Sequence, residues 1–428
     1  MLRPRASQLA LAAGIALTTP LLASSASAAT SPAPIVISDS ALQATSTTVG
    51  GANPQPTTNT LTHFFRTAHN PLDGITYGFN MVGQDPGLQQ STTITVDITP
   101  LNVNVGGRSF NGTDILGPTL SSPIFTSNDY TTTPFVSDPT VANGHRSNSD
   151  TLSPGNTANQ LEDATMRSQF NEQGTGYHLI LNPVVHPAIT IDVPGTNGAL
   201  ITTARGVVAG DIAVKWWSSR IQNLDNSLSY ADPTHLQLYL TDNVMNFIGT
   251  NPLNCCIIGF HGASEVVGHG TGSVHGNGDQ PIQTFGWASY VTPGFFNPQR
   301  AWTLQDIDPL SHEIAEWADD PFINNLVQPW TSPAIAPTCA GILETGDPVV
   351  GVGFAKEANT FRQGPTPNGT QVADGFYHPE DEALLPWFMR LNPSPAQLAQ
   401  SGTNGRYTFM GDLNPFAVFH GTPPACPA

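Results

Sequence analysis

The sequence predicts a strand-rich α+β protein in which one short helix carries the chemistry. Three observations point to it. The chain holds 40 Gly and 38 Pro among 428 residues, and both residue types punctuate helices. Alternating, β-branched runs such as "TTITVDITPLNVNV" (92–105) read as half-buried strands. Helical patterns are few, and the clearest, residues 309–319, contains His-Glu-x-x-Glu.

Taken in order, residues 1–28 read as a secretory signal peptide. Arg3 and Arg5 precede an apolar stretch at 9–23, and Ala26-Ser27-Ala28 is a small-residue cleavage pattern. No later segment approaches the roughly 20 apolar residues of a membrane span, so an exported chain without a span is expected. Residues 29–160 form a β-rich, loop-rich N-terminal region: a Thr/Ser/Ala/Pro-rich arm, strands over 92–126, then a Ser/Thr/Pro/Asn tract. Turn signals stand at Gly106-Gly107 and Asn111-Gly112. A change of composition places the second region at 161–428, opened by a helix at 160–171.

Strands follow at 177–185 and 188–194. Residues 211–228 suit a strand turning into a helix, or one amphipathic helix. "HLQLYLTDNVMNF" (235–247) and "CCIIGFHGA" (255–263) read as strands, the second a continuous apolar run of the buried kind. A Gly-rich loop (262–281) leads to a strand at 283–291 and then to the motif helix. The last hundred residues alternate loops with a short apolar helix at 380–390.

Only 11% of residues are charged, against roughly 25% in ordinary domains. Lys and Arg number 14, Asp and Glu 32, for a net charge of −18. That balance excludes nucleic acid and anionic membrane as partners, since phosphate binding needs clustered cations. It suits divalent cations, and equally the solubility of an acidic exported protein. Of the four cysteines, Cys255 and Cys256 are expected to reach Cys339 and Cys426, because a bond between neighbours is strained. Their spacing fits no zinc ribbon or finger. The chain also lacks a Gly-x-Ser-x-Gly elbow, a phosphate loop and a dinucleotide fingerprint.

The motif helix is bounded by Asp308, a capping residue before Pro309, and by Pro321. At about 100° per residue, Leu310, Ile314 and Trp317 form one stripe that should face the core. His312 and Glu316 then lie one above the other on the opposite side, near enough to share a metal ion. Asp319 and Asp320 stand at the negative end of the helix dipole with no Lys or Arg within a turn, as if awaiting a cation. His312 and Glu316 are therefore candidate ligands, and Glu313 is the candidate general base acting on metal-bound water. "LETGDPV" supplies Glu344 as third ligand, with Asp320 or Asp347 as additional groups. A carboxylate in place of an imidazole weakens the Lewis acid and opens the site to calcium or manganese. His261, His269 and His275 line the Gly-rich loop, where solvated imidazoles are the commoner outcome; His261, at the end of a buried strand, is the best placed. His378 suits a helix cap or the site wall.

"SHEIAEWADDP" (311–321) resembles the active-site helix of zincin metallopeptidases, with Glu316 where the second histidine usually stands. The resemblance implies a zincin-like core, a twisted mixed sheet beside an active-site helix, with zinc as cofactor. It also implies an upper strand along which a peptide lies, for which "QTFGWASYV" is the candidate. More of the chain, about 235–420, resembles a group of exported bacterial proteins without an assigned activity. That likeness is carried by "CCIIGFHGA", "QTFGWASYVTPGFF", "LSHEIAEWADDPFINN", "LETGDPV" and "YHPEDEALLPWFMR". A fainter likeness, through the same helix type, is to EXORDIUM-like phosphate-induced cell-wall proteins.

The leading expectation is a secreted metal-dependent hydrolase acting on a peptide or cell-wall-associated substrate. A second class is a non-catalytic extracellular binding protein with a structural divalent metal, favoured by the long polar first half. A third is a glycosidase using a carboxylate pair such as Glu313 and Glu344, which needs no metal.

Overall fold

The alternating run at 92–105 forms the longest strand, β6 (Ser91–Val105), and every inward position of it is buried. A computed structural model describes residues 60–128, 159–170, 174–203, 206–265, 281–293, 304–332, 338–350 and 376–390. It also describes 8–11, 35–37, 47–48, 295–296, 356–358 and 408–409, and Glu172, Gly353 and Cys426.

β6 sits in a twisted nine-stranded mixed sheet with β1 (Gln8–Leu11), β3 (Thr47–Thr48), β7 (Arg108–Asn111), β8 (His178–Val185), β9 (Ile189–Asp192), β12 (Leu236–Asp242), β15 (Gly259–Glu265) and β16 (Ile282–Tyr290). The order is β3-β1-β15-β16-β12-β6-β7, with β8 and β9 also paired to β6. β8, β9 and β12 run parallel to β6, and β16 runs parallel to β12. β15 then turns antiparallel to β16. β6, which precedes residue 160, is thus hydrogen-bonded to β8 and β12, which follow it.

A second sheet joins β2 (Ile35–Ile37), β10 (Gly198–Thr203), β11 (Val208–Ala213), β13 (Val244–Phe247) and β14 (Cys255–Ile257). Three two-stranded ribbons complete the strands: β4 (His63–His69) with β5 (Thr76–Val82), β17 (Leu326–Trp330) with β18 (Ala340–Ile342), and β19 (Lys356–Ala358) with β20 (Phe376–Tyr377). The helices are α1 (Leu116–Leu120), α2 (Leu161–Gln169), α3 (Val214–Asp225), α4 (Asp308–Asp319) and α5 (Leu385–Phe388). The protein is mixed α+β and dominated by strand, as composition predicts.

Two runs expected as single strands prove to be broken. Residues 235–247 divide into β12 and β13, in different sheets, at Asn243, whose φ of 50° is one that Asn tolerates better than most residues. Residues 255–263 divide in the same way into β14 and β15 around Ile258. The strand at 283–291 is β16, which is interior, between β12 and β15; the strand beside it toward the edge is β15. The expected helix at 380–390 shrinks to α5, because Pro386 fits only a helix's first turn and α5 starts at Leu385. No helix among the described residues is long and apolar enough to cross a membrane.

The cysteine expectation is corrected. Cys255 and Cys256 are bonded to each other in β14, and Cys339 is bonded to Cys426. Packing gives the reason. Cys255 and Cys256 belong to the apolar cluster of the second sheet, with Met245 and Phe247, whereas Ala340, next to Cys339, packs in a different cluster with Trp330 and Trp387.

Helix α4 lies against β16 and β15. Leu310, Ile314 and Trp317 enter the main core as their spacing predicts, and the Trp317 indole N–H donates to Thr284 Oγ1 on β16 at 3.0 Å. Burial of three such side chains contributes about 1.5–3 kcal/mol each. The start of the helix differs from expectation. Asp308 is its first residue, Ile307 is the N-cap, and no side chain caps it. The opposite side of α4 is covered as well, by β15 and by the segments around Glu344 and Glu380.

Candidate metal centre

The four-residue spacing on α4 sets His312 over Glu316, with His312 Nε2 3.1 Å from Glu316 Oε1. From β15, His261 reaches the same carboxylate from the other side: its Nδ1 lies 3.5 Å from Glu316 Oε2 and 3.5 Å from Glu313 Oε2. The segment after β18 brings Glu344 and Asp347. Asp347 Oδ1 is 4.0 Å from His312 Nε2, and the Asp347 backbone N–H donates to Glu316 Oε1 at 3.3 Å.

Two sets of ligand atoms converge, each within 4.8 Å: His261, Glu316 and Glu344 in one, His312, Glu316 and Asp347 in the other. All are buried, with Glu316 and His261 at 0% exposure and His312 at 5%. His312 Nε2, both ring nitrogens of His261, Glu316 Oε2 and Glu344 Oε2 make no hydrogen bond. A buried polar atom without a partner costs about 1–3 kcal/mol, and a divalent cation would complete these. Each set offers one imidazole nitrogen and two carboxylates, a donor set suited to zinc or manganese.

The orientation of His312 is fixed from behind. Its Nδ1 is paired with Glu380 Oε2, which leaves Nε2 directed toward Glu316 and Asp347. Glu380 is itself held, its backbone N–H donating to Ser311 Oγ at 2.9 Å. A carboxylate behind an imidazole sets the tautomer and ring plane of metal-binding histidines generally. Two glycines make the room. A Cβ at Gly346 would collide with the His312 ring, and one at Gly259 with the Glu313 carboxyl.

Burial and mutual charge spread the acidities. Burial pushes the Glu313 carboxyl up to about 7, against the pull of His261 and His312. Glu344 is held well above the carboxylate range by burial and then by Glu316 and Asp347. Glu316 moves the other way: burial opposes it, but His312 and His261 keep it below the ordinary value. For the imidazoles burial works against the charged form, yet the neighbouring carboxylates raise His261 to about 9 and His312 well above its usual range.

Of the expected ligands, His312, Glu316 and Glu344 fall in the two converging sets, and Glu313 stands next to them. Asp320 falls in neither. Its carboxylate accepts the backbone N–H groups of Asn324 and Asn325 at 2.8 and 3.1 Å, fixing the turn after α4. Asp319 accepts from Gln169 Nε2 at 2.6 Å. The acids at the helix end are therefore partnered by protein donors and were not awaiting a cation. His378 faces Asp306, with Nδ1 2.7 Å from its carboxylate. His269 and His275 lie outside the described residues.

Sequence reasoning left His261 outside its ligand set, weighed Asp347 only as an extra, and missed Glu380. The one signal for Glu380 is the acidic run "HPEDE" in a charge-poor chain. Gly346→Ala tests the geometry, because Gly346 has an ordinary φ of −78° and the conflict falls on the imidazole alone. Metal affinity, read by chelator competition, should fall at least about tenfold, the lower range for disturbing a ligand's supporting contacts, with the far-ultraviolet spectrum unchanged.

No family model, curated protein or solved structure matches this chain.

Proposed function

We propose that this protein is an exported metal-dependent hydrolase, with a zincin-like arrangement of α4 against the sheet and Glu313 as general base. The observation that carries the reading is His312: Nδ1 held by Glu380, Nε2 unbonded and directed into a buried carboxylate cluster, with Glu313 one residue away. A carboxyl raised to about 7 is poised to take a proton near neutral pH. A small cavity of about 20 Å³, room for roughly one water, is bordered by Ile258, Leu304, Pro309 and Val350 and reaches His312 and Glu313. Zinc is the favoured ion, with manganese and calcium next. Two disulfides support an oxidising destination.

An extended peptide is the substrate class the sheet best suits. β15 lies beside α4, and β1, part of the expected leader, already pairs antiparallel with His261, Gly262 and Ala263 on it. Removal of the leader would free those main-chain groups to accept another strand. The deep burial of the ligands also favours a second reading, a structural metal in a binding protein, since Glu313 is only 2% exposed.

Metal analysis beside hydrolysis of an unstructured protein substrate tests both. The leading reading expects bound metal, turnover lost on chelation and restored by zinc, and metal depleted in His312→Ala. Metal without turnover would leave the structural reading standing; protein free of metal after zinc loading would overturn both.

A further inference from the structure

We propose that the centre holds two divalent ions, bridged by the two oxygens of Glu316. This rests on the metal-site reading above and extends it from one ion to a pair. The two oxygens of Glu316 face different imidazoles: Oε1 toward His312 Nε2 at 3.1 Å, Oε2 toward His261 Nδ1 at 3.5 Å. Behind each imidazole nitrogen waits its own second carboxylate, Asp347 on the His312 side and Glu344 on the His261 side.

One ion does not account for this arrangement. Among the described residues no converging set contains both histidines; the sets share Glu316 alone. An ion seated with His312, Glu316 and Asp347 leaves His261 Nε2 and Glu344 Oε2 buried without a hydrogen bond, and His261 Nδ1 with only the 3.5 Å approaches of Glu313 and Glu316. An ion in the other set leaves His312 Nε2 with no aligned hydrogen bond and only the 3.1 Å approach of Glu316 Oε1, although Glu380 orients that ring. Buried polar atoms without a hydrogen bond are rare in native proteins and call for an explanation. Two ions complete both sides.

Charge agrees. The carboxyl groups of Glu313, Glu316, Glu344, Asp347 and Glu380 surround the two imidazoles, enough anionic ligand for two divalent cations. A carboxylate shared between two ions fits the spacing of roughly 3.5–4 Å found in two-metal hydrolytic sites. Glu313, whose Oε2 lies 3.5 Å from His261 Nδ1, then stands beside the ion on the His261 side.

The full chain, stripped with chelator and reloaded with Mn²⁺ or Zn²⁺, provides the test. Elemental analysis and native mass spectrometry should give two ions per chain, and the Mn²⁺ form should show the electron paramagnetic resonance of an exchange-coupled pair. His261→Gln and Asp347→Asn should each leave one ion and abolish the coupling. Should His261→Gln fail to fold, Glu344→Gln reads the same side, and the wild-type stoichiometry and spectrum stand independently of any variant. One ion per wild-type chain, or two uncoupled ions indifferent to these substitutions, overturns the pair and spares the metal-site reading. No bound ion overturns both.

Discussion

Glu313→Gln should reduce kcat about 10²–10⁴-fold, the usual contribution of a positioned general base, and leave the metal content unchanged. The substitution preserves shape, which matters because Gly259 leaves no clearance beyond the existing side chain. It removes only the ability to accept a proton. Glu313 Oε2 makes no hydrogen bond, and the contact that changes with its charge is the 3.5 Å approach of His261 Nδ1. KM should therefore hold while kcat and kcat/KM fall together, the signature of an interaction made in the transition state. The pH profile gives a second reading. A base is useful only when ionised, so kcat/KM should decline as pH falls through the Glu313 value of about 7, or somewhat lower with a cation nearby. In the variant that acidic limb should disappear. Turnover preserved in Glu313→Gln would remove Glu313 from the mechanism and leave its burial as a packing role.

The motif helix was legible because its information is local. Pro309 and Pro321 bracket it, and Leu310, Ile314 and Trp317 repeat at helical spacing, so α4 formed within a residue of its expected ends. His312 over Glu316 follows from the same periodicity. The completion of the site is not local. Glu380 meets His312 from 68 residues away, and His261 meets Glu316 from a strand whose place beside α4 depends on sheet order. Spacing cannot show that "CCIIGFHGA" breaks between two sheets, since either half reads as the same buried strand. Sheet order likewise made β16 an interior strand although its sequence suits the upper edge equally well. The acids at the end of α4 misled for a related reason: their donors, Gln169 and the turn at Asn324–Asn325, are fixed only by folding. With 32 acidic residues in the chain, the burial of Glu313, Glu316, Glu344, Asp347, Glu380 and Glu382 in one region is the feature that fits a bound cation.

Stripped of metal, the protein should become less stable as pH rises from 5 to 8, opposite to the acid-sensitive behaviour of most acidic proteins. Asp319 sets the sign most simply. Burial raises its carboxyl from 3.8 to about 7, with Gln169 opposing and Asp320 adding to the shift. A folded value above the unfolded one means that the folded state holds the proton more tightly. Its contribution is complete below pH 3.8 and is lost as pH rises through about 7, a loss on the order of 4 kcal/mol for that displacement. Burial moves Glu162, Glu344 and Glu382 in the same direction. His261, raised to about 9, adds stability that is present below about 6.5 and fades toward 9. Glu316 opposes, as do Asp85 and Asp232: lowered in the folded state, they stabilise above their ordinary values and lose that contribution on acidification, outside the window measured. The melting temperature in excess chelator should therefore drop by several degrees between pH 5 and 8. Added zinc should reverse the slope, because the cation binds ionised ligands and stabilises by mass action in proportion to its affinity. Its effect on the melting temperature should be small at pH 5 and large at pH 8. A chelated protein more stable at pH 8 than at pH 5, or an equal zinc effect at both, would mean that these carboxylates are not held neutral by burial, and the need for a compensating cation would lose its physical basis.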